Sequence, residues 1–238
     1  AAFGVGGRGA GVMRGLDETM KVKYVALCDV DWKYAAGTFK KYPNARKFAD
    51  YRTMLDQMGD QIDAVIVATP DHTHACVTAE AIRRGKHVYV QKPLTHSVYE
   101  SRFLQELANE YKVATQMGNQ GASGAGVAET CEILWSGAIG DVTRVESFTD
   151  RPIWPQGLNT PEQVQKVPDT LNWDLFTGPA RARRGTAGTH TAVETFPSAA
   201  RDRRAHEEHG GPGLGRPAGC VAAHRRHGYP AQPGGVRT

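Results

Sequence analysis

Short apolar runs alternate with longer amphipathic segments over the first 120 residues of the chain. Five runs are rich in β-branched residues: AAFGV, KYVALCDV, DAVIVAT, HVYV and VATQM. Runs of this length are typical of strands that are buried on both faces of a sheet. In SVYESRFLQELANEY, by contrast, Val98, Phe103, Leu104 and Leu107 fall on one helical stripe that Ser97 is placed to cap. The alternation predicts an α/β fold, a doubly wound parallel sheet of Rossmann type.

The pattern changes after residue 120. A glycine-rich loop precedes a predicted helix in VAETCEILWSG, and alternation in DVTRVESFTD predicts a half-buried strand that opens an antiparallel sheet. Residues 151–180, rich in Pro and Trp, are interpreted as an ordered irregular segment. We therefore expect a Rossmann domain over 1–120, the start of an incomplete α+β domain over 121–180, and an irregular tail over 181–238.

Charge separates the tail from the rest of the chain. Residues 181–238 contain ten Arg, no Lys and four acidic residues, whereas residues 1–180 contain 19 basic and 21 acidic residues. The net charge of +4 is therefore a property of the tail, and the part with a folded pattern has no excess of basic residues. This distribution argues against nucleic acid as a partner.

Membrane and metal chemistry are not indicated by the sequence. No apolar run approaches the roughly 20 residues of a membrane span, and the four cysteines form no CxxC or Cys/His cluster typical of zinc sites. We expect no membrane partner and no metal. The chain starts without Met inside a predicted strand, so we expect residues to precede it, and both a cytoplasmic and a periplasmic location stay open.

The stretch GVGGRG follows the first predicted strand and opens a predicted helix. Gly4, Gly6 and Gly9 form a GxGxxG pattern, and Asp29 follows the second strand 20 residues after Gly9. This context is the fingerprint of dinucleotide binding, in which the loop and the helix N-terminus bind the pyrophosphate and the acid binds ribose hydroxyls. An acid here disfavours a 2′-phosphate, so NAD is predicted rather than NADP. The candidate cofactor residues of the loop are Gly4, Gly6, Gly7, Arg8 and Gly9.

The stretch ATPDHTH lies where the strand in DAVIVAT ends, at the edge where doubly wound sheets bind ligands. Thr69, Pro70 and His74 are candidate cofactor residues. The alternative is that Asp71 or Thr73 caps the next helix and that the two histidines are solvated first-turn residues. The residues alone do not decide between these interpretations.

The stretch QKPLTH ends the next strand at the same edge, and MGNQG ends the one after it. Lys92 is predicted to face the cofactor crevice, where a lysine can hold a substrate hydroxyl and help to move its proton. A lysine at a strand end is also commonly a plain surface residue. Asn119 and Gln120 are candidates for the nicotinamide ribose or the substrate, although Asn and Gly are equally typical of turns.

These stretches resemble the Gfo/Idh/MocA family of oxidoreductases, the group of glucose-fructose oxidoreductase and inositol dehydrogenase. The similarity is carried by AAFGVGGRGAG, ALCDVD, VIVATPDHTHA, GKHVYVQKPLTHSVYESR, ATQMGNQG, WSGAIGDVTRVESFTDRPIWPQG and LNWDLFTGPA, which cover residues 1–180 in family order. The resemblance implies a cofactor domain followed by a larger domain with an open antiparallel sheet for substrate and homo-oligomer contacts.

The resemblance also implies roles for single residues. The lysine of the family's E-K-P motif corresponds to Lys92, the implied catalytic residue, with Pro93 after it, and both are also candidate cofactor residues. Gln91 replaces the usual Glu, which leaves its implied contact with the cofactor ribose in question. Beyond Ala180 the family's later motif with a catalytic His is absent, and the Arg-, Ala- and Gly-rich composition is typical of a shifted reading frame in GC-rich DNA.

The sequence therefore predicts an NAD(P)-dependent dehydrogenase that transfers hydride from a sugar, cyclitol or related hydroxyl substrate. Two alternatives stay open: an NAD-dependent glycosidase of the same superfamily, and a non-catalytic nucleotide-binding fragment that lacks half of the active site.

Overall fold

The structure, a computed structural model, describes residues 1–150 and 166–180. Six parallel strands form one sheet in the order β3-β2-β1-β4-β5-β6. Their bounds are β1 Ala2–Phe3, β2 Ala26–Cys28, β3 Arg46–Phe48, β4 Ala64–Val67, β5 His87–Gln91 and β6 Thr115–Gly118. The strand order reverses between β1 and β4, as in a doubly wound Rossmann sheet. The predicted fold class is thus confirmed. The edge strand β3 was not predicted, because it does not contain an apolar run.

Within the described residues, five α-helices connect successive strands and two more come after the last strand. They are α1 Arg8–Asp17, α2 Trp32–Lys41, α3 Tyr51–Met58, α4 His74–Arg83, α5 Val98–Tyr111, α6 Ala125–Trp135 and α7 Trp173–Thr177. The side chains of Asp31 and Asp50 cap α2 and α3, and Ser97 forms a capping box with Glu100 at the start of α5, as its sequence predicts. Gly85 follows α4 with φ +71°, the left-handed conformation expected after a helix end.

The two faces of the sheet carry separate cores. Phe3, Val67 and Val90 pack on one face with buried residues of α3, α4 and α5. Leu27 and Ile66 pack on the other face with residues of α1 and α2. Neighbouring strand residues point to opposite faces, so strands buried on both sides need continuous apolar runs rather than alternation. This is why the runs were informative in the sequence.

Two sequence-based expectations are wrong. Val98 does not join the buried stripe of α5, because it is the first helical residue and is 71% exposed, whereas Leu104 and Leu107 are buried. Residues 142–149 form no strand, and Val145 and Phe148 are 82% and 93% exposed. A strand needs a hydrogen-bonded neighbouring strand, and the strand pairings among the described residues do not include this stretch.

The helix predicted in VAETCEILWSG is confirmed as α6, although none of its residues is buried. Residues 151–165 and 181–238 lie outside the described residues, and so do the expectations for them. The division into three domains stays a prediction. Within the described ranges, no helix combines the length and the apolar character that crossing a membrane requires.

Residues 168–180, named here the return segment, fold back onto the sheet's carboxyl edge. Leu171 forms an antiparallel bridge with Asp31 directly after β2. The backbone N–H of Asn172 donates to the Val30 carbonyl at 2.9 Å, and Phe176 is buried. The segment thus belongs spatially to the Rossmann fold, although the sequence places it after the predicted domain boundary.

Candidate functional site

A cavity of about 750 Å³ opens at the carboxyl edge of the sheet, where the order of strands reverses. Doubly wound sheets bind their ligands at this position. The predicted site residues that line it are Gly4, Gly7, Arg8, Asp29, Thr69, Pro70, His74, Gln91 and Lys92. The cavity lining does not include Gly6, Gly9, Pro93 or Asn119. With Gln120, which also lines it, the fold therefore brings ten of the predicted residues to one cavity.

The glycine-rich loop is packed too closely for side chains at two positions. Gly4 has φ +74°, and a Cβ at this position would lie 2.5 Å from the Ala68 carbonyl oxygen. A Cβ at Gly9 would overlap the carbonyl oxygen of Gly4. These contacts keep the start of α1 close to β1 and β4, so that the first N–H groups of the helix face the cavity edge.

Tyr34 lies against the middle of the same loop. Its ring occupies the space into which a Cβ of Gly6 would project, and its hydroxyl oxygen lies 2.6 Å from the Cβ position of Gly7. Gly6 belongs to the loop predicted to bind the pyrophosphate, and in this structure the Tyr34 ring takes the space beside it. The side chain is half-exposed and also lines the cavity. A ligand that reaches the Gly6 backbone would therefore have to displace the ring.

Asp29 is buried and already holds three backbone donors. Its Oδ2 accepts from the N–H of Val5 at 2.8 Å and of Gly6 at 3.0 Å, and its Oδ1 accepts from Asp31 N–H at 3.0 Å. Burial raises the pKa of the carboxyl, and the three N–H donors act in the opposite direction. Of the roughly four acceptor positions of a carboxylate, two bind the glycine loop to the end of β2 and a third holds the backbone that follows β2. Its contact with ribose hydroxyls stays a prediction.

His74 ties two loops of the cavity together. It is almost fully buried, with Nδ1 2.6 Å from the Pro93 carbonyl and Nε2 2.8 Å from the Thr69 carbonyl. The interpretation of this histidine as a solvated first-turn residue is therefore wrong. The capping alternative is also wrong, because neither Asp71 nor Thr73 makes a side-chain cap bond. His74 instead joins the loop after β4, through Thr69, to the loop that carries Lys92, through Pro93.

His72 lies two residues before His74 in the chain and contacts the return segment. Its Nε2 lies 2.9 Å from the Phe176 carbonyl oxygen, and the two rings meet edge to face at 6.4 Å. Burial is the main cause that lowers the pKa of His72. A neutral ring whose Nε2 carries the proton donates to that carbonyl.

Two buried polar atoms beside the cavity have no partner among the described residues, Thr69 Oγ1 and Gln91 Oε1. Both residues line the cavity. The Gln91 amide nitrogen is 3.5 Å from the Tyr89 hydroxyl oxygen, which also accepts from Gln120 Nε2 at 2.9 Å. Buried polar groups are normally hydrogen-bonded, so these two atoms mark places where a polar ligand would be satisfied.

Lys92 and the two residues after β6 differ in placement. Lys92 is exposed and lines the cavity, as predicted. Gln120 lines the cavity too, whereas Asn119 is exposed and lies outside the lining. In the described ranges, no group of three His, Cys, Asp or Glu side chains is arranged to hold a metal ion.

The sequence did not identify the return segment as part of the site. Asp174, Leu175, Phe176, Gly178 and Pro179 all line the cavity. The apolar residues of LNWDLFTGPA show that the stretch is folded, but they follow neither helical nor strand periodicity. Only the tertiary structure reveals which surface this stretch covers.

A sequence model described as an oxidoreductase family with an NAD-binding Rossmann fold, Gfo/Idh/MocA, matches residues 1–119. Among curated relatives, scyllo-inositol 2-dehydrogenase (NAD(+)) of Bacillus subtilis is 35% identical over 88 residues, which are 37% of this chain and 26% of that protein. Inositol 2-dehydrogenase of Salmonella typhimurium is 27% identical over 179 residues, 72% of this chain and 53% of that protein. The chain thus spans about a quarter to a half of these relatives.

Solved structures share the fold. Scyllo-inositol dehydrogenase from Lactobacillus casei, with bound NAD(H) and scyllo-inositol, superposes with a TM-score of 0.52 at 22% identity. The superposition covers 60% of this chain and 42% of the other. At this identity the likeness concerns the fold alone.

Proposed function

Since the chain belongs to the Gfo/Idh/MocA oxidoreductase family, we propose that its cavity binds NAD and forms the cofactor half of a dehydrogenase active site. The proposed substrates are sugars, cyclitols or related compounds with a hydroxyl group. The observation that carries the proposal is the convergence of the glycine loop, Asp29 and Lys92 on one cavity at the sheet's switch point. The inositol dehydrogenases among the relatives support the substrate class.

The residues present fit a dinucleotide. The close packing at Gly4 and Gly9 brings α1's N-terminal N–H groups toward the site of a pyrophosphate, and Arg8 adds a cation there. The unpartnered Thr69 Oγ1 and Gln91 Oε1 would bond to the ribose hydroxyls or the carboxamide of the nicotinamide half. A bound NAD supplies the hydride acceptor.

Lys92 is the proposed catalytic residue. Its ammonium group would donate a hydrogen bond to the substrate hydroxyl oxygen and stabilise the negative charge that develops there, while the proton passes to solvent water and the hydride passes to the cofactor. His74 would hold the Lys92 loop in place through the carbonyls of Thr69 and Pro93.

The proposed preference for NAD over NADP rests on Asp29. A 2′-phosphate on the adenosine ribose would approach a carboxylate that is buried and held by three backbone N–H groups. Fluorescence titration with NADH and NADPH should give affinities at least about tenfold apart, a difference of about 1.4 kcal/mol. Equal affinities would contradict the assigned role of Asp29.

The test of the catalytic role compares Lys92→Ala with Lys40→Ala, which changes an exposed lysine on α2 outside the cavity lining. Turnover is measured over a panel of sugars and cyclitols. Lys92→Ala should lower kcat by about 10²- to 10⁴-fold with little change in NADH affinity, and Lys40→Ala should leave both unchanged. Release of phenol from a p-nitrophenyl glycoside without net NADH would instead indicate a glycosidase.

A second candidate is a nucleotide-binding protein without turnover. It is favoured by the exposure of Lys92, the one catalytic residue proposed among the described residues. NADH binding with no turnover of any panel substrate would support this candidate. Absence of NADH binding would contradict both.

A further inference from the structure

We propose that the return segment is a strap that closes over a bound dinucleotide and controls the rate at which the cofactor leaves. This inference rests on the proposed binding of NAD. It adds a binding element from outside the 1–119 match and assigns two residues, His72 and Phe176, to hold the strap closed.

One end of the strap is anchored beyond β2. Leu171 bridges Asp31, the Trp32 N–H donates to the Thr170 carbonyl at 3.1 Å, and the Asn172 N–H donates to the Val30 carbonyl at 2.9 Å. These bonds join backbone to backbone. They do not depend on the side chains that line the cavity, so this anchor would persist while the rest of the strap moves.

The other end is anchored beyond β4 by side chains. The Phe176 carbonyl accepts from His72 Nε2 at 2.9 Å, and the buried Phe176 ring meets the His72 ring edge to face at 6.4 Å. The Cβ position of Gly178 lies 3.2 Å from Thr73 Cγ2. These contacts depend on side chains, which can rotate away, whereas the first anchor joins backbone to backbone at three points. This latch is therefore the end that we expect to open.

The order of strands places the strap across the glycine loop. Because β1 lies between β2 and β4, a segment attached beyond both neighbours must pass over the carboxyl end of β1. The glycine loop leaves the sheet at that end. Gly4, Gly7 and Arg8 accordingly line one side of the cavity, while Leu175, Phe176 and Pro179 line another.

A dinucleotide bound on the glycine loop would thus lie beneath the strap. Its release would require the latch to open, and this local opening would precede dissociation. Elements held by few buried contacts open more readily than the core, and opening steps of this kind often limit the release of a bound ligand. Loosening the latch should therefore raise the dissociation rate more than it changes the association rate.

The test measures NADH dissociation by stopped-flow chase with excess NAD in the full chain. Phe176→Ala and His72→Phe should each raise the dissociation rate about tenfold. Phe103→Ala changes a partly buried phenylalanine on α5 outside the cavity lining and should leave the rate within about twofold. His72→Gln, whose amide N–H can donate to the same carbonyl, should restore most of the wild-type rate.

Hydrogen exchange on the unaltered protein gives a second measurement that does not need a variant to fold. Amides of residues 168–180 should exchange more slowly with NADH bound than without it. Wild-type dissociation rates in both latch variants, or exchange in the strap that is unaffected by NADH, would overturn the proposal. A wild-type chain that binds no NADH would instead contradict the proposed function itself, and the strap with it.

Discussion

The helices that pack on the sheet and the helix α6 that follows it are all regular α-helices, but they differ in burial. Helices α3, α4 and α5 all contribute to the core, whereas α6 buries no residue. The large apolar side chains of residues 127–148 stay exposed against the described part of the chain, up to 93% at Phe148. Helix formation thus follows local pattern and capping, but stabilisation by burial requires a facing surface.

Two isoleucines test this comparison most directly. Ile82 on α4 is fully buried, and Ile133 on α6 is 50% exposed. Ile82→Ala should lower the free energy of unfolding by about 2–5 kcal/mol through lost burial and the cavity left behind. Ile133→Ala should change it by less than about 0.5 kcal/mol, as measured by urea titration. A large loss at Ile133 would show that α6 is packed in solution.

Alanine substitutions at two helical glycines should change the free energy of unfolding by smaller amounts, one lowering it and the other raising it. Gly9→Ala places a Cβ against the Gly4 carbonyl and should cost about 1–3 kcal/mol, together with a loss of NADH affinity. Gly126 on α6 has open space around its Cβ position, so Gly126→Ala should stabilise by up to about 1 kcal/mol through helix propensity. Thermal unfolding of both variants checks the signs. Equal effects would mean that the loop is not tightly packed.

The smallest expected effect concerns pH and the strap. Burial lowers the pKa of His72 below its ordinary value of 6.5, while the Phe176 carbonyl and Asp71 oppose the shift and His96 adds to it. The folded state therefore favours the neutral ring. The resulting stabilisation is present above pH 6.5 and is lost as pH falls through the folded pKa.

Hydrogen exchange of residues 168–180 at pH 7.5 and pH 5 measures this change. Opening should be more frequent at the lower pH in the wild type, and His72→Gln should remove most of the difference. A pH dependence that survives in His72→Gln would assign it to other groups.

The candidate site was predictable wherever a local pattern encodes it. Gly4, Gly9 and Asp29 were found because the loop, the strand end and the spacing between them are set by one βαβ unit. Asn119 and Gln120 were not separated, because which of two adjacent turn residues reaches a cavity depends on the backbone path after β6. The buried role of His74 was missed because its two carbonyl partners lie 5 and 19 residues away.

The sequence by itself determined the parallel sheet, the helix ends and the edge where the site lies, since periodicity, caps and strand order act over short distances. Only the tertiary structure decided that residues 168–180 line the same cavity as the glycine loop, that Tyr34 lies over Gly6, and that residues 142–149 form no strand. These features depend on which surfaces of the fold come into contact. His72 and Phe176, for example, are in contact although more than a hundred residues separate them in the chain. Contacts of that range are set by the packing of the whole fold and leave no periodic trace in the chain.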